Sequence, residues 1–211
     1  MTTQPLAQQL SARRAEMMAQ EVEAVAFARF EERGFGEVTV EEIASAAGIS
    51  VRTFYRYFSS KEDILQLRID RRTAALNEAL EAGSDEDSPM TALRIALEAT
   101  TSTEDLTLLR SWCNVIAASP GVLQGVVGGI QLKTQRVIAA FLARRLDVPA
   151  GDLVPTMLAA AVGGVVQAAH IQWYVGGGDL VATISDGLRI LERGMDADPT
   201  AWASSGTASD R

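Results

Sequence analysis

The sequence contains one cysteine, Cys113, and one histidine, His170. A single thiol excludes an internal disulfide framework and fits a reducing compartment. The two residues together fall short of a structural zinc site, and no metal or organic cofactor is expected. A lone histidine also leaves little room for Ser/His/Asp chemistry, and no strand-borne glycine-rich phosphate loop is visible, so an enzyme is not the expected class. The N-terminal stretch "MTTQPLAQQLSARRAEMM" lacks the apolar run of a secretory signal, and a cytoplasmic location is expected. Positive charge is short as well: 19 Lys+Arg face 27 Asp+Glu, a net charge of −8. Such a body does not bind polyanions at large, although a local cationic patch still permits one oriented contact.

Aromatic residues are also few. The chain has 6 Phe, 3 Tyr and 3 Trp, yet Phe54, Tyr55, Tyr57 and Phe58 sit together in "GISVRTFYRYFSSKED", residues 48–63. Arg52, Arg56 and Lys61 lie among them, and residues 49–61 hold no acid. At 100° per residue, Val51, Phe54 and Phe58 share one helical face, with Tyr55 at its margin. Arg52, Thr53, Arg56 and Tyr57 share the opposite face. The first set is expected to anchor the helix to a core and the second to face outward.

Strand alternation is absent, and turn signals fall at helix-length intervals, so the whole chain reads as all-α. A first helix is predicted over 11–33, with Ala24, Phe27, Ala28 and Phe35 on its apolar side and Gly34 as a left-handed C-cap. Thr39 and Glu42 form a capping box before a short helix that Gly48 stops. Ser50 caps the helix just described, and Ser60 to Asp63 open another that runs to about residue 82. Two short helices joined by a glycine turn form a helix-turn-helix. "GSDEDSP" over 83–89 reads as a flexible acidic break, after which Ser88 and Pro89 start the next helix. Further helices are predicted over 103–118, 120–146, 152–175 and 179–195. Residues 153–178 carry no charge, but Gln167, His170 and Gln172 interrupt them, which favours a buried helix over a membrane span. The last residues, 196–211, have a disordered composition.

The order of these residues resembles the N-terminal domain of the TetR family of bacterial transcriptional repressors. The resemblance is carried by Phe30, Gly34-Phe35, Val38-Thr39-Val40, Ile43-Ala44 and Ala47-Gly48-Ile49-Ser50, then by Thr53-Phe54-Tyr55, Tyr57-Phe58, Lys61-Glu62 and Leu65. It implies a three-helix helix-turn-helix DNA-binding domain over 1–70, with the helix 61–82 as connector. A helical ligand-binding and dimerisation domain over 71–195 follows. The expected function is that of a homodimeric, ligand-responsive repressor, released from a palindromic operator by a largely apolar small molecule.

A recognition helix meets base edges with its N-terminal turn, where Arg52 lies, with Thr53 and Arg56 beside it and Ser50 as its cap. The resemblance assigns phosphate contacts to Tyr55 and Tyr57. Thr39 and Lys61 lie at helix N-termini, which favour an anion. Arg13 and Arg14 are further candidates for the DNA backbone.

For the effector, the resemblance implies a cavity lined by Leu109, Trp112, Cys113 and Ile116, and from later helices by Gln131, Gln135, Val166, His170 and Trp173. Core packing is an equally good account of most of them. For the dimer it implies the last two helices, with Val162 and Val165 on one and the stripe Leu180, Ile184, Leu188 and Leu191 on the other. Parts of the second half look like an actinobacterial subgroup with an acyl-CoA-like ligand, to which Arg144 and Arg145 would offer phosphate contacts. Two other classes stay open on sequence alone: an enzyme built on a carboxylate pair, and a helical module that docks a protein.

Overall fold

Helix α1 (Leu6–Arg33) begins five residues before the predicted start and ends where Gly34 takes a φ of 85°, the left-handed conformation that only glycine adopts without strain. The computed structural model describes residues 6–194, so the disorder expected for 196–211 lies outside the described residues. Among the described residues there are nine helices and no strand. After α1 come α2 (Val40–Ala46), α3 (Val51–Tyr57), α4 (Glu62–Ala82) and α5 (Pro89–Ser102). They are followed by α6 (Leu106–Ala117), α7 (Pro120–Leu146), α8 (Leu153–Gly176) and α9 (Leu180–Arg193).

Local chemistry explains the boundaries. Thr39 and Glu42 form the capping box of α2, Ser50 accepts from the Thr53 amide at α3, and Ser88 caps α5 with Pro89 in its first turn. Asp105, Asp152 and Asp179 cap α6, α8 and α9 in the same way. Each side-chain oxygen satisfies amides that the first turn of a helix leaves without a partner.

The chain divides into two compact units. The first holds Met1–Asp70 and Asp105–Gly128, and the second holds Arg71–Glu104 and Gly129–Arg211. Helix α6 therefore belongs with the helix-turn-helix, where it packs on α1. The core of the first unit is built on Val22, Ala26, Phe27 and Phe30 of α1 with Phe35, Ile43, Phe54, Phe58, Ile64 and Leu65. Ala24 and Ala28, placed on the apolar side from sequence, are exposed. The inward stripe runs through Val22, Ala26 and Phe30, four residues apart, and Ala24 and Ala28 lie about half a turn away from it.

In the second unit α9 packs on α5 and α8. Gly187 sits where an added Cβ would fall 2.6 Å from Cγ1 of Val165, so α8 and α9 approach as closely as they do because that side chain is absent. Helix α8 is long and apolar enough to cross a membrane, but it is not buried all round as the sequence suggested. One face (Pro155, Ala159, Val162, Val166, Ala169, Trp173) is buried, while Leu153, Met157, Ala160, Ala161, Gly164, Ala168, Ile171 and Val175 form an exposed stripe on the other.

Candidate nucleic-acid interface

Helix α3 is only seven residues long, too short to hold its own shape in water, and its neighbours fix it. Phe54 is fully buried and Phe58 nearly so; their rings lie 5.2 Å apart. Burying each stabilises the unit by about 1.5–3 kcal/mol. Val51, expected in the same core, is half-buried. On the outward side Arg52 and Tyr55 are exposed, and Thr53 is half-buried. Arg52 has no hydrogen-bond or ion-pair partner among the described residues, so its five donors face outward from the first turn of α3.

The other candidates are partly committed inside the protein. Ser50 Oγ accepts from the Thr53 amide at 3.0 Å and meets Thr53 Oγ1 at 2.9 Å. Arg56 donates to the Tyr57 hydroxyl at 2.9 Å, with its guanidinium carbon 4.8 Å from that ring's centre, so the pair forms a single exposed cationic plate. Thr39 Oγ1 accepts from the Glu42 amide at 3.2 Å, although the residue stays exposed. Arg13 and Arg14 are exposed on α1.

Lys61 departs most from expectation. Its ammonium donates to the carbonyls of Phe35 at 2.7 Å, Val38 at 3.0 Å and Gly36 at 3.3 Å, and it lies 4.6 Å from the centre of the Phe35 ring. An ammonium has three N–H donors, and all three are used. Lys61 is thus a clamp on the α1–α2 turn, its three N–H groups already engaged.

A second clamp, which the sequence reading missed, closes the same turn from the other side. Arg33 donates to a carboxylate oxygen of Glu42 and to the carbonyl of Glu37 at 3.4 Å, while Glu42 accepts from the Thr39 amide at 2.9 Å. The Thr39 amide, followed by Arg33, holds the Glu42 carboxyl below its ordinary value, and the hydrogen bond to Glu42 raises Arg33. The capping box was legible, but its arginine, nine residues upstream, carried no local signal.

The proposed effector residues are divided between the two units. Leu109, Trp112, Cys113 and Ile116 stand on α6 in the first unit. There Leu109, Trp112 and Ile116 are buried, and Trp112 donates its indole N–H to the Leu65 carbonyl at 3.3 Å, a core role in that unit. Gln131, Gln135, Val166, His170 and Trp173 lie in the second. Gln131 is exposed; Val166 and Trp173 are buried; Gln135 packs at Gly163 of α8. His170 bonds through Nδ1 to the Val166 carbonyl at 2.7 Å and through Nε2 to Arg72 Nη1 at 2.7 Å. A guanidinium only donates, so Nε2 accepts and the ring is the neutral Nδ1–H tautomer. Arg72 also lies 3.5 Å from Glu104.

A cavity of about 320 Å3 in the second unit is lined instead by the start of α5 (Ser88, Pro89, Met90, Leu93), with Leu142, Leu146, Leu158, Val162 and Glu192. Of the proposed dimer residues, Val162, Leu180, Ile184 and Leu188 are buried in their own unit, and Val165 faces Gly187. They hold α9 to its own unit and are not an exposed face. Leu191 is half-buried. Arg145, considered for phosphate binding, donates to the carbonyls of Ser84 and Asp85, each at 3.0 Å, and of Asp87. Arg144 is exposed.

Comparison with known proteins agrees with this geometry. Residues 24–67 match the family model described as bacterial regulatory proteins, tetR family, and residues 87–196 match the MftR C-terminal domain. A Mycobacterium tuberculosis protein, MftR, named for transcriptional regulation of mycofactocin biosynthesis, is 32% identical over 151 residues, which cover 71% of this chain and 76% of the relative. TcmR of Streptomyces glaucescens, named an HTH-type transcriptional regulator, is 27% identical, covering 68% of this chain and 67% of its own length. Among solved structures, Thermus thermophilus FadR, a TetR-type repressor in complex with lauroyl-CoA, shares the fold with a TM-score of 0.57 and 24% identity. The match covers 85% of this chain and 96% of that one. The buried aromatic anchor, the outward arginine and these matches together place the chain in the TetR family, as a helix-turn-helix transcriptional regulator with an MftR-type C-terminal domain.

Proposed function

We propose that the protein acts as a homodimeric repressor that leaves a palindromic operator when it binds a largely apolar small molecule. The observation that carries the DNA-binding part is Arg52: exposed, without a partner among the described residues, on the first turn of a helix pinned by Phe54 and Phe58. A guanidinium there matches guanine O6 and N7 in the major groove. Tyr55 and the Arg56–Tyr57 plate flank it as phosphate contacts. Thr39, Ser50 and Thr53 fix the turn and the helix start, and their exposed edges adjoin the same DNA face. The domain division of the reading is 1–70 for DNA contact and 71–195 for ligand and dimer, with α4 as connector.

The dimer reading is supported by the exposed stripe of α8, a correction to the α9 stripe read from sequence. Small residues (Ala160, Ala161, Gly164, Ala168) occupy its middle, and Leu153, Met157, Ile171 and Val175 its ends. Two such helices related by a twofold axis approach closely at the middle and bury apolar side chains at the ends. A twofold pair brings two recognition helices onto half-sites about 34–36 Å apart. The effector reading is supported by apolar space in the second unit, and the FadR relative, shown with lauroyl-CoA, makes an acyl ligand the class to try first. Action on the chromosome places the protein in the cytoplasm.

The test is selection of a duplex from a random library by the full-length protein, followed by titration of the selected and scrambled duplexes over a salt series. Arg52→Ala is expected to lose about 1–3 kcal/mol on the selected duplex and little on the scrambled one. Equal losses on both would refute base reading by Arg52, and no selected duplex at all would refute the DNA-binding function.

A further inference from the structure

We propose that Lys61 is a positioning residue for DNA recognition, acting through the α1–α2 turn and not through phosphate; the inference rests on the DNA-binding reading above. A cation one residue before α4 is poorly placed for helix electrostatics, because the N-terminus of that 21-residue helix is its positive pole. What compensates is the opposite pole of α1, whose 28 residues end at Arg33. The carbonyls of Phe35, Gly36 and Val38 converge on Nζ just past that end, and the Phe35 ring covers it.

The same short segment is tied to α3. Phe58, the C-cap of α3, is buried, and the Ser59 amide donates to Asp63 Oδ2 in the first turn of α4 at 2.7 Å. Residues 58–63 therefore hold both ends of the helix-turn-helix at once. They fix its entry through Lys61 and its exit through Phe58 and Asp63. The Arg33–Glu42 pair closes the entry turn from the far side. Releasing the ammonium frees the turn that leads into α2 and so loosens the angle at which α3, and with it Arg52, is presented. No hydrogen bond to phosphate is lost, because the three N–H groups of Lys61 are already given to carbonyls; what attraction the charge itself exerts at a distance depends only on keeping a cation there.

The experiment compares the wild-type full chain with Lys61→Met, which keeps an apolar stem over Phe35, and with Lys61→Arg, which keeps the charge but has a planar fork that does not fit three converging carbonyls. Each is titrated against the selected and scrambled duplexes over a salt series, with circular dichroism and a thermal midpoint to confirm folding. Both variants are expected to lose about 10- to 100-fold on the selected duplex, the equivalent of one base contact, with little loss on the scrambled duplex. The slope of log affinity against log salt should stay unchanged in Lys61→Arg, which keeps the charge. Wild-type selectivity in Lys61→Arg, with Lys61→Met losing equally on both duplexes, would show that the charge and not the cage matters and overturn the proposal, as would undiminished selectivity in both variants.

Should either variant fail to fold, the wild-type ammonium decides the matter by NMR. Caged protons exchange slowly, show contacts to the Phe35 ring and keep their shift when duplex is added; a phosphate ligand's protons move. If the wild type selects no duplex, the DNA-binding reading fails and the positioning role fails with it, whereas a solvent-exchanged ammonium on a protein that does select a duplex overturns the cage alone.

Discussion

Replacing Gly164 with leucine should make the protomer more stable and the dimer weaker. A Cβ built on Gly164 meets nothing within 4 Å, so the protomer has room for a side chain there. Glycine is a poorer helix former than alanine by about 0.8–1 kcal/mol and leucine ranks just below alanine, so an exposed mid-helix site should return somewhat less than that. In a twofold pair the same atom lies at the middle of the close approach, and each protomer brings one. Forcing a side chain into a packed contact costs about 1–3 kcal/mol, so the symmetric pair loses about 2–6 kcal/mol, or at least roughly 30-fold in dimer affinity. Dimer dissociation is followed by sedimentation or mass photometry. Protomer stability is followed by denaturant unfolding below the dissociation constant, since association itself adds to apparent stability. Gly187→Ala is the control: its Cβ would meet Val165 Cγ1 at 2.6 Å, and valine in a helix has little rotamer freedom with which to yield. It should destabilise the protomer by about 1 kcal/mol net, overpacking outweighing propensity. An unchanged dimer in Gly164→Leu would refute the α8 stripe as the interface, and a destabilised protomer would refute the open space around Gly164.

Acid should loosen the helix-turn-helix unit through Glu42. Its carboxyl sits below the ordinary value in the folded state, so its contribution is present above the unfolded value and lost as pH falls through the folded one; Glu42→Gln should flatten that acid limb in thermal midpoints measured from pH 6 to pH 3, and an unchanged limb would count against the clamp. Arg145→Lys should release the acidic turn before α5, because a single ammonium cannot span the Ser84, Asp85 and Asp87 carbonyls that the guanidinium holds; a loss of about 1–3 kcal/mol and faster proteolytic cutting within residues 83–88 are expected, and wild-type cutting rates would contradict the role.

Much of the fold was legible because helix punctuation is local. Thr39 with Glu42, Ser50, Ser88 with Pro89, and the three aspartate caps each act within three residues of themselves, so the sequence carries both partners side by side. The split of α3 into a buried and an outward side was legible for the same reason, since 100° per residue needs no tertiary knowledge. What the sequence did not show is which apolar face the chain buries in itself. Leu180, Ile184 and Leu188 make a clean stripe, and a stripe is what a helix shows its own core as readily as a partner. The α8 outer face was hidden because that helix is apolar all round, leaving no polar side by which to tell inside from outside.

The cations mislead in a more instructive way. Sequence shows where a positive charge is attached and not which acceptor it meets, and here Lys61 meets backbone carbonyls of a turn, while Arg145 meets three turn carbonyls beside the Asp85 carboxylate, all 23 or more residues away along the chain. Carbonyls carry no side-chain signature, so such clamps read as exposed charge available to phosphate. Subtracting these internal commitments narrows the DNA face. Of the three cations in residues 49–61, Lys61 is spent on the α1–α2 turn and Arg56 is braced on Tyr57, which leaves Arg52 beside an exposed Tyr55. On the proposed DNA reading Arg52 is the cation of this helix left for base edges, with the Arg56–Tyr57 plate offered to phosphate. One base-reading arginine per chain specifies few base pairs, so on that proposal selectivity is expected from doubling the footprint, and the spacing of a twofold pair becomes as much a part of recognition as the arginine itself.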